Sequence, residues 1–331
     1  MNSAYDLIDV KYGYDGLEAL NIDQCQIHAN KTTAILGPNG AGKSTLLNIL
    51  AFVFRVSSGE VKFFNKRCEH ESHSALRRRV AYVQQNPYLF NDTVIKNVEL
   101  GLKLRGVNKK DRHQSTMIML ERLGLGDLAP RRAHELSGGE TQKVAIARAM
   151  VLETEVILLD EPFTYLDKRF AKDLEQLILD NRRTGNQTVI FSTHDQSRAQ
   201  VLADDIFSML AGRYVPSSIV NLYSGRLLPD KNIFETAELK ISVPENLTAG
   251  EHIAIESTQI VLSKEQLLSS MRNSFRGKIR SLHEDNGQIQ VTIEAGEIFQ
   301  IIITKAALDE MNINVGEMVW LSFKSSAISV F

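Results

Sequence analysis

Gly37-Pro38-Asn39-Gly40-Ala41-Gly42-Lys43-Ser44-Thr45 decides how the chain is read. It fits the P-loop spacing of Gly, four residues, then Gly-Lys-Ser. Thr33-Ala34-Ile35-Leu36 ahead of it is a short apolar run, expected as a buried strand. Leu46-Leu47-Asn48-Ile49-Leu50 behind it is expected to be helical. Strand, loop and helix form the context this motif requires. The glycines let backbone N–H groups curl around a phosphate with no Cβ in the way, and the helix N-terminus adds a positive dipole end. Lys43 is expected to reach the β- and γ-phosphates of a nucleotide, and Ser44 to ligate Mg²⁺.

The totals bound the rest. A chain of 331 residues is long enough for two or three domains. Its hydrophobic content of 43% and charged content of 24% are those of a soluble globular protein. A net charge of -2 gives no electrostatic reason to expect nucleic acid or an anionic membrane as partner. Cys25 and Cys68 are far apart in sequence and form no metal-ligand or redox pair, which fits a reducing compartment. Met-Asn-Ser-Ala-Tyr-Asp at the start has no basic region followed by an apolar stretch, so no signal peptide is expected. No run of 18 apolar residues suggests a span. The expectation is a cytoplasmic protein that reaches a membrane only through a partner.

Outward from the P-loop, Leu7 to Val10 and Cys25 to His28 read as short strands. Between them, Tyr12-Gly13-Tyr14-Asp15-Gly16 supports two readings. The tyrosines either anchor a turn, or one of them stacks on a nucleotide base. Ser57-Ser58-Gly59-Glu60 reads as a turn before a strand at Val61 to Phe64. The run Arg77-Arg78-Arg79 reads as a solvated face leading into a buried strand, Val80 to Val83. That strand ends at Gln84-Gln85-Asn86-Pro87, the end at which α/β sheets bind ligands. Residues 94–152 show helical spacing.

Leu136-Ser137-Gly138-Gly139-Glu140 is the second unusual stretch. Ser137 suits an N-cap, with Glu140 three residues on as in a capping box, before a helix expected from about Thr141 to Leu152. The glycines leave N–H groups bare for an anion. An ordinary capped helix and an anion site both remain open on this motif alone. Val156-Ile157-Leu158-Leu159-Asp160-Glu161 is an apolar strand ending in two carboxylates. In a P-loop chain the Asp suits Mg²⁺ and the Glu suits accepting a proton from water. Val189 to Asp195 is a further buried strand, ending near His194.

Together these motifs resemble the ATP-binding subunit of an ABC transporter over about residues 5–215. Gly37 to Thr45 matches Walker A. Leu136 to Glu140 is similar to the signature Leu-Ser-Gly-Gly-Gln, with Glu140 in the last place, and Gln142 to Ala149 continues its helix. Asp160 and Glu161 match Walker B and the catalytic glutamate, His194 the switch histidine, and Gln85 the Q-loop glutamine. Tyr14 aligns better than Tyr12 with the adenine-stacking aromatic. Leu166-Asp167 matches the D-loop, although Thr164-Tyr165 replaces the usual small pair. The resemblance implies an α/β P-loop NTPase with a helical subdomain at about 86–152, ATP and Mg²⁺ as cofactors, and Ser44, Gln85 and Asp160 serving the metal. It also implies a head-to-tail homodimer in which Ser137, Gly138, Gly139 and Glu140 of one copy close over the P-loop nucleotide of the other. The partners implied are a membrane permease, met through the Gln85–Gly106 region, and an external substrate-binding protein, with the ATPase lying on the inner face of the membrane.

Past about residue 225 the composition changes. The ATPase domain is expected to end at 224, with a linker at 225–234 and a small all-β, OB-like barrel over 235–331. Gly250 to Ile260 and Gly316 to Ile328 echo one another with a two-residue offset, suggesting duplicated strands. Ser270 to Ile279, with Ala306 to Ile328, resembles the TOBE or Mop-type domain of molybdate and tungstate proteins. In that family Ser, Arg, Lys and backbone N–H groups grip a tetrahedral oxyanion, which makes Ser270, Arg272, Lys324, Ser325 and Ser326 candidates. A barrel that only braces the ATPase dimer is the competing reading.

The expectation is an ATP-hydrolysing subunit of an importer for molybdate or tungstate, with oxyanion feedback on the motor. Polyamine, sugar, iron or sulfate importers share the fold. An ABC ATPase working on DNA, ribosomes or protein complexes is disfavoured by the single motor and the lack of sustained heptads. An oxyanion sensor or store is disfavoured by the intact hydrolytic set.

Overall fold

The computed structural model describes residues 2–14, 17–69, 72–215, 220–245, 247–285 and 287–330. The chain divides into two compact units, Met1–Pro216 and Ser217–Phe331.

The first unit is built on a six-stranded sheet in the order Arg213–Val215, Asp205–Leu210, Thr32–Leu36, Thr188–Thr193, Val156–Leu159, Val80–Val83. Its last five strands are parallel, and only Arg213–Val215 runs the other way. Every residue of Thr32–Leu36, Val156–Leu159 and Thr188–Thr193 is buried. Continuous apolar runs are what a parallel sheet covered on both faces demands. One face packs on the helices through Leu102, Leu120, Val144 and Leu174. The other packs on the P-loop helix Lys43–Leu50 and on an antiparallel sheet in the order Leu17–His28, Ser3–Tyr14, Ser58–Phe63, Lys66–Arg67. Ser58 to Glu60, read from sequence as a turn, are already in the strand and pair with Ile8 and Lys11 across a register shift. Asp15 and Gly16 lie outside the described residues. Helices Val94–Leu104, Lys109–Arg122 and Gly138–Met150 lie between the strands Val80–Val83 and Val156–Leu159. The last begins earlier than expected because Ser137 caps it directly before Gly138. No helix among the described residues is long and apolar enough to cross a membrane.

The second unit is mainly β around one core, with sheets of three, three and five strands among the described residues and one short helix, Lys305–Met311, where an all-β barrel was expected. It begins earlier than the sequence suggested, and residues 225–234 are not a linker. Val220–Ser224 pairs with His252–Glu256, and Arg226–Leu228 pairs with Ile233–Glu235. Gly225 misled because it sits at a close crossing rather than in a free loop. A Cβ there would lie 2.2 Å from Glu235 O.

The echo in the sequence is one edge of a fuller duplication. Asn221-Leu222-Tyr223-Ser224-Gly225-Arg226-Leu227 corresponds to Asn273-Ser274-Phe275-Arg276-Gly277-Lys278-Ile279. Asn221 pairs with Ile255 in one half, and Asn273 with Phe323 in the other. A short 3₁₀ turn follows each partner strand, Ser257–Gln259 and Ser325–Ala327. The halves then exchange their last strands. Val261 and Leu262 pair with Ser322 and Leu321, while Ser329 and Val330 pair with Ala254 and Ile253. Two buried asparagines tie the exchange. Asn273 Oδ1 accepts the Ser242 N–H (2.7 Å) and its Nδ2 donates to Ser242 O (2.9 Å). Asn221 does the same to Gln300, at 2.6 and 2.9 Å. Each side-chain amide thus satisfies backbone groups that no strand reaches.

Candidate nucleotide site

The P-loop runs from the end of the buried strand Thr32–Leu36 into the helix Lys43–Leu50. Gly42, the helix N-cap, has φ 95°, a conformation costly for any residue with a Cβ. The loop lines a cavity of about 570 Å³ with Pro38, Asn39, Gly40, Ala41, Gly42, Lys43, Ser44 and Thr45. Tyr14 and Glu18 border one side of it, Gln85 and Glu161 the other. Gly37 sits just behind, its backbone carbonyl accepting Lys43 Nζ at 2.7 Å. Lys43 Nζ also donates to Pro38 O at 3.0 Å and lies 3.3 Å from Glu161 Oε1.

The carboxylates follow the strand Val156–Leu159, separated from the P-loop strand by Thr188–Thr193. Asp160, 2% exposed, and Glu161, 6% exposed, directly follow Val156–Leu159. Ser192 Oγ, from the next strand, donates to Asp160 Oδ1 at 2.6 Å and accepts the Glu161 N–H at 2.8 Å. His194, on the same strand end, is largely exposed and lies with Nδ1 3.2 Å from Glu161 Oε2. The parallel register thus brings Glu161, Ser192 and His194 beside the P-loop, because Thr188–Thr193 pairs with both flanking strands.

Tyr14 and Tyr12 differ in their surroundings. Tyr12 stacks on Phe54 at 5.1 Å, while Tyr14 meets both rings edge-on and borders the cavity. Phe54 was invisible as a site residue because it is distant in sequence. Asn48, Tyr82 and Ser192 were likewise unassigned. Ser192 stood in the sequence beside His194 in a strand ending in polar residues, which was the only signal.

Ser137, Gly138, Gly139 and Glu140 do not line this cavity. They begin the helix Gly138–Met150 as a full capping box. Ser137 Oγ accepts the Glu140 N–H at 3.3 Å, and Glu140 Oε2 accepts the Ser137 N–H at 2.8 Å. That N–H, then the Ser137 hydroxyl, holds the Glu140 carboxyl below its usual range. Asp167 N-caps the next helix, Lys168–Thr184, and pairs with Lys143 of the signature helix. Tyr165, two residues before it, is 73% exposed and has φ 65°.

In the second unit the oxyanion candidates gather at one strand end. Asn273 pairs with Phe323, so Arg272 and Lys324 are the next residues out on each strand, with Ser325 and Ser326 following. Arg272, Lys324, Ser326 and Ser270 are exposed and Ser325 is half-buried. Among the described residues no three His, Cys, Asp or Glu side chains gather as a metal site.

A cavity that combines a lysine-bearing glycine loop, an aromatic edge and a buried carboxylate, Glu161, suits a nucleoside triphosphate. Comparison with known proteins agrees. The family model for the ABC transporter matches residues 20–164, and that for the TOBE domain matches residues 269–330. The chain is 34% identical to a molybdate/tungstate import ATP-binding protein of Pyrococcus abyssi, over 90% of this chain and 91% of that one. It is 30% identical to a sulfate/thiosulfate import ATP-binding protein of Mannheimia succiniciproducens, over 93% of each. A dimeric ATP-binding cassette solved with ADP and phosphate superposes with a TM-score of 0.59 at 28% identity, covering 63% of this chain and 96% of that one. Cassettes of this kind dimerise, and import ATP-binding proteins work with permease components. The chain belongs to the ABC transporter family, as an ATP-hydrolysing import subunit with a C-terminal TOBE domain.

Proposed function

We propose that this chain powers the import of molybdate or tungstate. The carrying observation is likeness over nine-tenths of the chain, both units included, to a protein named for that cargo. In this reading Lys43 and the loop from Gly37 to Thr45 hold the ATP phosphates, and Tyr14 stacks on the base. Glu161 takes a proton from the attacking water, and His194 faces the γ-phosphate. Ser44, Gln85 and Asp160 hold Mg²⁺. The donor set fits that ion, which takes one or two carboxylates, neutral oxygens and nucleotide phosphates and keeps several waters. Mg²⁺ would neutralise charge on the β- and γ-phosphates.

Ser137 to Glu140 serve the nucleotide of a second copy. That they do not line their own chain's cavity supports a head-to-tail homodimer. Exposed Tyr88 and Phe90 form a face for the permease. Asn97 shapes it by accepting the Phe90 N–H at 2.7 Å and donating to Phe90 O at 3.0 Å. The ATPase then works on the cytoplasmic face of the membrane, with a binding protein delivering cargo from outside and no role for nucleic acid.

Arg272 and Lys324, with Ser270, Ser325 and Ser326, take an oxyanion that holds the motor dimer open when cargo is plentiful. Titration of the full chain with molybdate, tungstate and sulfate in a calorimeter tests this. Binding of the first two that is lost in Arg272→Ala supports it, and no heat with any anion contradicts it. A sulfate-class cargo is the second reading, favoured by the full-length likeness to a sulfate/thiosulfate import protein.

A further inference from the structure

Asp160 and Glu161 are fixed by a side chain that no sequence motif names. Ser192 is completely buried, and its hydroxyl has both roles filled: it donates to Asp160 and accepts from the Glu161 backbone. Glu161 has φ 44°, a left-handed conformation that costs a residue with a Cβ about 1 kcal/mol or more. The bond to its N–H holds it there. On the neighbouring strand Val80–Val83, Tyr82 directly precedes Val83, whose carbonyl accepts the Asp160 N–H at 2.9 Å. Asn48 Nδ2 donates to Tyr82 Oη at 3.4 Å and to Ser44 O at 2.7 Å. One set of bonds links Asp160, Ser192 and Glu161, and a separate set links Ser44, Asn48 and Tyr82.

We propose that Ser192 is a positioning residue both for the nucleotide-bound divalent cation and for the carboxylate that activates water. This rests on the assignment of Ser44 and Asp160 to Mg²⁺. The Ser192 hydroxyl aims the Asp160 carboxylate, while Asn48 ties Tyr82, on the neighbouring strand, to the backbone of Ser44. Tyr82 accepts a bond from Asn48 and none from the carboxylate residues, whereas Ser192 bonds to both of them. Their removal should therefore differ in kind.

The test is binding of a fluorescent, non-hydrolysable ATP analogue to the full-length protein, titrated with Mg²⁺ and repeated in EDTA. Ser192→Ala and Tyr82→Phe should bind as the parent does in EDTA. The Mg²⁺ midpoint should rise about tenfold in Ser192→Ala and less in Tyr82→Phe, as groups that orient metal ligands commonly do when lost. At saturating Mg²⁺, hydrolysis should recover in Tyr82→Phe but not in Ser192→Ala. Ser192→Thr, which keeps the hydroxyl, should restore the midpoint. An unchanged midpoint in Ser192→Ala, or equal weakening with and without Mg²⁺, would overturn the proposal. Asp160→Asn separates the two levels. If it leaves the Mg²⁺ response intact, the cation assignment itself fails. If it abolishes the response while Ser192→Ala does not, only the positioning role fails.

Discussion

Lys43 Nζ lies 3.3 Å from Glu161 Oε1, with both side chains less than a tenth exposed. A phosphate placed in the P-loop competes with this carboxylate for the ammonium. Lys43→Ala should therefore do two things. Nucleotide binding should be lost, and Glu161 should be left as a buried, uncompensated charge. Stripping one partner from a buried pair commonly costs about 3 kcal/mol. Denaturant titration should show a loss of that order in Lys43→Ala. Much of it should return in Lys43→Ala/Glu161→Gln, while nucleotide binding stays lost.

Tyr14 borders the cavity, and Tyr12 and Phe54 back it. Base stacking on an aromatic ring is worth about 1–3 kcal/mol. Tyr14→Ala should raise the KM for ATP about tenfold or more and leave kcat nearly unchanged. Phe54→Ala should raise KM by less, since Phe54 supports Tyr14 and Tyr12 and does not itself line the cavity. Steady-state ATPase kinetics separate these outcomes.

The two cysteines give a pH prediction. Burial pushes the Cys25 thiol up to about 12 and the Cys68 thiol up to about 11. Both stay protonated at pH 8 in the folded protein, so iodoacetamide should label the native chain slowly and the unfolded chain fast. The sign for stability follows. A folded pKa above the unfolded value of about 8.5 favours the fold below that pH, and the advantage is lost as pH rises through the folded values. Denaturant midpoints should therefore fall between about pH 8.5 and 11, and Cys68→Ser should reduce the fall.

The nucleotide motifs were legible in sequence because their chemistry fixes spacing along the chain. Gly37 to Thr45 needs one loop, and Asp160 with Glu161 needs one strand end. The placement of Asn48, Tyr82 and Ser192 was not legible, because it depends on one helix and two strands that come together only through the parallel register. The domain boundary was misplaced for a related reason. Ser224-Gly225-Arg226 carries a linker's composition, yet Gly225 is required where two backbones pass closely. The repeat was seen only from Gly250 and Gly316 onward, since Asn221 and Asn273 match in position and bonding while most of their neighbours differ.

That duplication is testable. Asn273→Ala removes two bonds to the Ser242 backbone and leaves buried groups unpaired, at about 1–3 kcal/mol for a buried polar group. Asn221→Ala should cost a similar amount, because it clamps Gln300 in the same way. A fragment starting at 235 lacks Val220–Ser224 and Arg226–Leu228 and should not fold as a monomer, whereas 217–331 should. Circular dichroism and thermal melts of both fragments would show it.

The most direct measurement is ATP hydrolysis by this chain reconstituted with its permease in vesicles, driven by binding protein loaded with molybdate, tungstate or sulfate. The account predicts stimulation by molybdate- or tungstate-loaded protein, little by sulfate, and a loss of about a hundredfold or more in Glu161→Gln. Stimulation by sulfate alone, or hydrolysis unchanged in Glu161→Gln, would contradict it.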